Sequence, residues 1–183
     1  METIQIENPG KIRRNKLAIE KKLNVQISVR GRNAKIEGDP VEEYEASRII
    51  EALDFGFPLK DALKITDENV IFRKLPIKQF TTRKNLEEVR GRIIGTEGKT
   101  KRVIEETSGC ALSLHQNTVG VIGLAEDIEE ATTALKRLIK GSKQTNVYRF
   151  LERMNTAQRG KQFFKEKDKE ENNEEIEDEE ESE

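Results

Sequence analysis

Apolar residues recur with two different periods along the first 142 positions of the chain, and each period predicts a different kind of element. A period of two is typical of half-buried strands, and it covers Val25–Val29, Ala111–His115 and Thr118–Ile122. Two further strands, Thr3–Glu7 and Val70–Leu75, are predicted before the helices. Helical spacing of apolar residues covers Lys16–Leu23, Pro40–Asp54, Leu86–Ile94, Lys99–Thr107 and Ala125–Lys140. This mixture of short strands and amphipathic helices predicts an α+β fold.

The chain also matches itself at a constant offset of 85 residues. The matching positions are apolar residues and glycines, among them Gly10 with Gly95, Ile19 with Ile104, Ile27 with Leu112, Ile36 with Val121, Gly38 with Gly123 and Leu53 with Leu138. Two copies of one unit are therefore predicted, each with a strand, a helix, a hairpin and a longer helix. The leading strands are offset by only about 66 residues (Ile4 to Val70), so the first copy is shorter and lacks a counterpart of the helix Leu86–Ile94.

Charge is distributed unevenly, although the whole chain of 183 residues has a net charge of only −2. The 18 residues from 166 to 183 contain 12 acidic and two basic side chains, whereas residues 1–165 contain 31 basic and 23 acidic ones. A basic body with an acidic tail suggests a nucleic-acid partner. The tail has one apolar residue, Ile176, and is predicted to be disordered.

The second copy contains a glycine turn between two predicted helices, Ile94-Gly95-Thr96-Glu97-Gly98, entered through Arg90-Gly91-Arg92-Ile93. Two glycines permit a tight turn whose backbone amides face outward at the start of the next helix, where they favour phosphate. In this order of elements the segment resembles the Gly-x-x-Gly loop of the type I KH domain, an RNA-binding module with a three-stranded sheet and helices on one face. Such loops hold about four nucleotides of single-stranded RNA.

The resemblance predicts the RNA-binding residues. They are Arg90, Gly91, Arg92, Ile93, Ile94, Gly95, Thr96, Glu97, Gly98, Lys99, Thr100, Lys101, Arg102, Ile104, Ala111 and Leu112, with Val103 also expected in the apolar groove. Glu97 departs from the Lys or Arg common at its position and would repel phosphate.

The first copy is predicted to be a degenerate KH domain. Arg13 replaces the second glycine of the aligned segment Gly10–Arg13, and the preceding helix is missing, so we expect no grip on RNA of the KH kind. Lys11, Arg13 and Arg14 are candidates for secondary RNA contacts, with a solvated helix face as the alternative.

Further segments extend the resemblance to one group of KH proteins. These are the linker Asp54–Leu63 and the closing Val147–Arg153, which accompany the tandem copies and the Arg-Gly-Arg-Ile-Ile-Gly entry. The chain thus resembles the archaeal members of the Pno/Dim–Krr group of small-subunit assembly factors. The resemblance implies binding near the single-stranded 3′ region of small-subunit rRNA, control of nuclease access, and a Nob-type endonuclease and the α subunit of initiation factor two as partners.

The domain division predicted is 1–65 for the degenerate copy, 66–142 for the intact one, 143–165 for a C-terminal helix and 166–183 for the tail. Arg149 and Arg153 on that helix are further candidates for RNA contact, while docking of the helix onto the KH core is the simpler interpretation. The tail either keeps the protein soluble or competes with RNA for the basic body.

Catalysis is not expected. His115 is the only histidine, Cys110 begins an apolar strand, and neither a metal-binding Cys/His spacing nor a nucleotide-binding P-loop is present. We therefore expect no enzyme, cofactor or metal. A generic KH subunit of an RNA-degradation or translation-associated complex, or a structural scaffold, remains an alternative.

The expected compartment is the cytoplasm. No apolar run approaches the roughly 18–20 residues of a membrane span, the N-terminus has neither a basic leader nor an apolar stretch, and a single cysteine suits a reducing compartment. We expect no membrane association.

Overall fold

The computed structural model describes residues 1–156, so the predicted acidic tail and the end of the predicted C-terminal segment lie outside the described residues. The elements are β1 (Glu2–Gln5), α1 (Pro9–Leu23), β2 (Gln26–Arg30), β3 (Asn33–Glu37), α2 (Pro40–Phe55), α3 (Leu59–Ala62), β4 (Val70–Pro76), α4 (Leu86–Ile94), α5 (Lys99–Ser108), β5 (Ala111–His115), β6 (Thr118–Leu124), α6 (Ala125–Lys140) and α7 (144–156). The α+β prediction is confirmed.

The strands form two antiparallel sheets of three, in the orders β1-β3-β2 and β4-β6-β5. In both sheets the second strand of the hairpin is central, and the first strand of the hairpin is an edge. The first sheet presents Ile27, Ala34 and Ile36 to a core shared with α1 and α2, and its other face is polar.

The second sheet is covered on both faces. Leu75, Leu112 and Val121 face a core with α4, α5 and α6, and Val147 and Leu151 of α7 complete that core. Because side chains alternate along a strand, Ala111 and Ile122 point the other way, into the core of the first unit, which comprises β1 to α3; the second unit comprises β4 to α7. Helix α2 therefore contributes to a layer between the two sheets, which explains why apolar residues are buried along most of its circumference.

Three phenylalanines join the two units. The ring centroids of Phe55 at the end of α2, Phe57 in the linker and Phe72 on β4 are 5.5–5.9 Å apart. Two polar contacts flank this cluster, from Lys74 to Glu51 (2.5 Å) and between His115 Nε2 and Glu7 Oε2 (3.0 Å). The linker is thus part of the core.

Helix α1 begins at Pro9, so the prediction of a helix starting at Lys16 was wrong. Proline is favourable in the first turn of a helix because its missing N–H needs no partner there. The carboxylate of Asp54 accepts hydrogen bonds from the backbone N–H of Glu7 (2.9 Å) and of Asn8 (2.6 Å). This contact with the end of α2 fixes the short connection from β1 into α1.

Replacing Phe57 by alanine is expected to lower the free energy of unfolding by about 3–5 kcal/mol, because a fully buried ring shared by both units is removed. Urea denaturation of F57A measures the loss. The control is Y44A, since Tyr44 is 58% exposed and its truncation removes little buried area. Equal losses in the two variants would contradict the shared core.

Candidate nucleic-acid interface

The glycine turn leads from the last residue of α4 into α5. The N–H of Gly95 donates to the carbonyl of Gly91 (2.8 Å), and Gly95 then adopts φ +74°. A Cβ at this position would lie 2.2 Å from Thr100 Oγ1 and 2.7 Å from the Thr100 nitrogen. Residue 95 therefore has no room for a side chain.

The second half of the turn is left-handed and open. Glu97 (φ 52°) and Gly98 (φ 74°) both have positive φ, and among residues 1–156 no heavy atom lies within 4 Å of the place where a Cβ on Gly98 would be. Within the described part of the chain no side chain caps the N-terminus of α5, and the first turn of α5 contains no acidic residue. The first-turn amides of a helix carry partial positive charge and need acceptors, so this opening favours an anion such as phosphate.

Helix α7 supports the turn from behind. Thr100 is 1% exposed, and its Oγ1 is bonded by Tyr148 Oη (2.9 Å) and Gln144 Nε2 (2.8 Å). Farther along, Asn155 Nδ2 donates to the carbonyl of Thr107 (2.9 Å). Helix α7 consequently follows α5 from its first turn to its last, and it holds the side chain that limits residue 95 to glycine.

Replacing Tyr148 by phenylalanine is expected to cost about 1 kcal/mol of stability, because one of the two hydrogen bonds to a buried hydroxyl is lost. Urea denaturation measures the change. The matched control is Y44F, where the exposed ring of Tyr44 loses only a solvated hydroxyl. If Y148F and Y44F have the same midpoint, α7 does not support the turn through this bond.

The predicted cations around the turn differ in their availability. Lys99 and Arg102 are exposed, and no ion pair within residues 1–156 includes either of them. Lys101 pairs with Glu105 (3.3 Å), Arg90 Nη1 donates to the carbonyl of Gln116 (3.1 Å), and Arg92 Nη2 donates to the carbonyl of Ser142 (2.6 Å). Lys99 and Arg102 are thus the best placed to meet a phosphate.

Several of the predicted RNA-binding residues belong to the core. Ile93 and Ile104 are 0% exposed, Thr100 1%, Leu112 3% and Ala111 7%. Their side chains cannot offer open surface to RNA, and in this respect the expectation was wrong. The reason is that the apolar stripes of α4 and α5 and both faces of β5 are turned toward the two cores.

Apolar surface near the turn is provided by other residues. Ile94 is 39% exposed, and Val103 is half-buried on α5. Leu114 is also half-buried, on the same face of β5 as Leu112. Sequence reasoning missed Leu114, although the period-two alternation from Leu112 indicates it.

The free edge of β5 adds backbone groups to this surface. In the register with β6, the backbone groups of Leu112 and Leu114 face away from the sheet. The N–H of Leu112 donates to Glu105 Oε1 (2.8 Å). The backbone N–H and carbonyl of Leu114 are left to form hydrogen bonds with the edges of nucleobases. The interface therefore combines helix-terminal amides, two cations, apolar surface and a strand edge.

The first unit has no comparable turn. The segment Gly10–Arg13 lies inside α1, and Ile12 is fully buried. Lys11 is half-buried, and this burial is the main reason why its pKa lies below the usual value. Arg13 and Arg14 are exposed on α1. These cations lie on a different unit from the turn at Gly95–Gly98.

Arg149 and Arg153 are exposed on α7 and line a cleft with Arg137 and Glu152. Arg137 lies over the ring of Phe150, with its guanidinium carbon 4.0 Å from the ring centroid. Both predicted arginines are therefore on the outer side of the helix that supports the turn, and Val147 and Leu151 dock that helix onto the core.

Cys110 lies in the core, 2% exposed, and burial raises the pKa of its thiol to about 11. Within residues 1–156, no three His, Cys, Asp or Glu side chains are grouped so that they could hold a metal ion. None of the helices in this part of the chain is long and apolar enough to cross a membrane.

Cys110 is expected to react far more slowly with a thiol reagent such as DTNB in the native protein than after denaturation. At pH 8, a thiol of pKa about 11 is ionised in roughly one molecule in a thousand, and only the thiolate reacts. Absorbance at pH 8, with and without 6 M guanidinium chloride, measures both rates. Equal rates would contradict the burial of Cys110.

Comparisons with known proteins agree with this geometry. A protein-family model for the second KH domain of PNO1, which is described as a eukaryotic-type KH domain (KH domain type I), matches residues 71–156. That range contains the second sheet, the glycine turn and α7. The second unit is a KH domain.

Relatives define the family. A KH domain-containing protein of Methanocaldococcus jannaschii is 30% identical over 151 residues, covering 79% of this chain and 66% of the relative. The pre-rRNA-processing protein pno1 of Aspergillus fumigatus is 28% identical over 152 residues, covering 78% of this chain and 60% of the relative. The crystal structure of the a/eIF2alpha-aDim2p-rRNA complex of Pyrococcus horikoshii contains a chain with 31% identity and a TM-score of 0.75, covering 85% of this chain and 94% of that one.

This chain belongs to the Pno1/Dim2 family of KH-domain proteins. The family predicted from the sequence is confirmed. The chain spans about half to two thirds of the length of the curated relatives it matches.

Proposed function

We propose that this protein is an assembly factor of the small ribosomal subunit that binds single-stranded RNA at the 3′ end of the small-subunit rRNA. The turn Gly95–Gly98 contacts the sugar-phosphate backbone, and the surface between Ile94, Val103 and Leu114 receives the bases. By binding this RNA, the protein controls whether a nuclease can reach it. The protein has no catalytic role itself.

One observation carries this proposal: the turn is open above Gly98 and leads into an uncapped helix end beside Lys99 and Arg102. The approach of an RNA backbone requires space, donors and positive charge at one place, and all three coincide here. The carboxylate of Glu97, exposed in the same turn, lowers the affinity without blocking the amides.

The first unit is proposed to be a KH copy that has lost its loop. In support, both sheets have the same strand order. Glu20 Oε1 accepts from the N–H of Ile27 (2.7 Å), as Glu105 Oε1 does from that of Leu112 (2.8 Å), and both pairs are related by the offset of 85. We retain the boundaries at residues 65 and 142 on this basis, with the first unit as a packing partner of the second sheet; the predicted boundary at residue 165 lies outside the described residues.

The partners proposed are small-subunit rRNA, the α subunit of initiation factor two and a Nob-type endonuclease, in the cytoplasm. The relative from P. horikoshii is described as part of a complex with a/eIF2alpha and rRNA, and the relative from A. fumigatus as a pre-rRNA-processing protein.

The double variant T96D/E97D is expected to lose at least tenfold in affinity for a single-stranded oligonucleotide copied from the 3′ end of small-subunit rRNA. It adds a negative charge to the turn and keeps both glycines, so the backbone conformation is preserved. Fluorescence anisotropy with the labelled oligonucleotide measures the dissociation constant.

The control is Q26E, which adds one negative charge on the exposed side of β2 in the first unit. It should bind like the wild type. Unchanged binding by T96D/E97D would exclude the turn as the RNA contact, and equal affinity of the wild type for a scrambled oligonucleotide would favour a generic KH subunit.

A further inference from the structure

A basic cleft lies between the end of β4 and the start of α4, and none of the predicted RNA-binding residues lines it. It measures about 530 Å³, and its lining includes Lys78, Thr81, Thr82, Arg83 and Lys140. The three cations and two hydroxyl groups are all hydrogen-bond donors, and no carboxylate from residues 1–156 lines the cleft. Such a set suits a phosphate group.

Arg92 lies between the cleft and the glycine turn. Arg83 Nη2 lies 3.1 Å, and Arg92 Nη1 3.6 Å, from the position that a Cβ on Gly141 would occupy. Arg92 is in the last turn of α4, directly before the glycine turn, and its carbonyl accepts a hydrogen bond from Gln144 Nε2 (3.2 Å). Positive charge therefore extends from the turn through Arg92 to the cleft.

Most of this charge is not neutralised locally. Glu88 pairs with Arg83 (3.0 Å), but within residues 1–156 no ion pair includes Lys78 or Lys140. A cation at the last turn of α6 would stabilise the helix dipole, which accounts for Lys140 but not for Lys78. Lys136 adds further charge beside the cleft, with its Nζ 5.2 Å from the ring centroid of Phe80.

We propose that this cleft is an accessory site for the RNA backbone, which binds phosphates of nucleotides that continue beyond those held at Gly95–Gly98. The inference rests on the proposed function and extends it. A KH loop alone holds about four nucleotides, so the cleft lengthens the footprint on single-stranded RNA without reading the bases.

The test compares a 4-nucleotide RNA with a 12-nucleotide RNA from the same 3′ end, using wild type, K78A/K140A and K35A/K60A. The last variant removes two positive charges from the first unit, where Lys35 is on β3 and Lys60 on α3. Because each phosphate contact to a single strand contributes about 0.7 to the salt slope, K78A/K140A should lower the slope for the 12-mer by about 1.4.

Between 50 and 200 mM salt, the affinity of K78A/K140A for the 12-mer should therefore fall by a factor about seven times smaller than that of the wild type. Binding of the 4-mer should be the same in both proteins. If K78A/K140A matches K35A/K60A on the 12-mer, or weakens both RNAs equally, the accessory site is wrong while the proposed function stands. If the wild type binds neither RNA, the proposed function and the accessory site both fail.

Discussion

The shape of the candidate RNA site depends on one close contact, between the backbone of Gly95 and the side chain of Thr100. Thr100 fills the space that a side chain at residue 95 would need, and α7 fixes Thr100 through Tyr148 and Gln144. The turn is therefore held by packing on its inner side and left open on its outer side, above Gly98. A rigid turn suits RNA binding because the donors at the start of α5 need no rearrangement when a phosphate arrives.

The first unit contributes to this arrangement from a distance. A KH domain has helices on one face of its sheet and leaves the other face open. In this protein Phe55 and Phe57 pack with Phe72 against that other face of the second sheet. Burying that face in the interior of the protein leaves the helical side, with the turn and the edge of β5, as the surface for RNA. The first unit thus acts as a structural support for the second sheet.

Much of this could be predicted from the sequence, because the signals are local. The periodicities located Leu86–Ile94, Ala111–His115 and Ala125–Lys140 at the observed bounds, and the two glycines located the turn. Contacts between distant residues could not be predicted. Asp54 fixes the start of α1 from 46 residues away, and Tyr148 supports Thr100 from 48 residues away. The KH resemblance placed Ile93, Ile104 and Leu112 in a groove, and the apolar periodicity of these elements could not show how deeply the three side chains are buried.

The central claim is that RNA binds at the turn of the second unit and not at the aligned segment of the first. Amide chemical shifts in ¹⁵N-labelled protein, followed while a short single-stranded RNA from the 3′ end of small-subunit rRNA is added, test it most directly. The account predicts the largest changes at residues 95–102 and at Leu114, with residues 10–14 unaffected. Changes centred on residues 10–14, with the turn at Gly95–Gly98 unchanged, would contradict it.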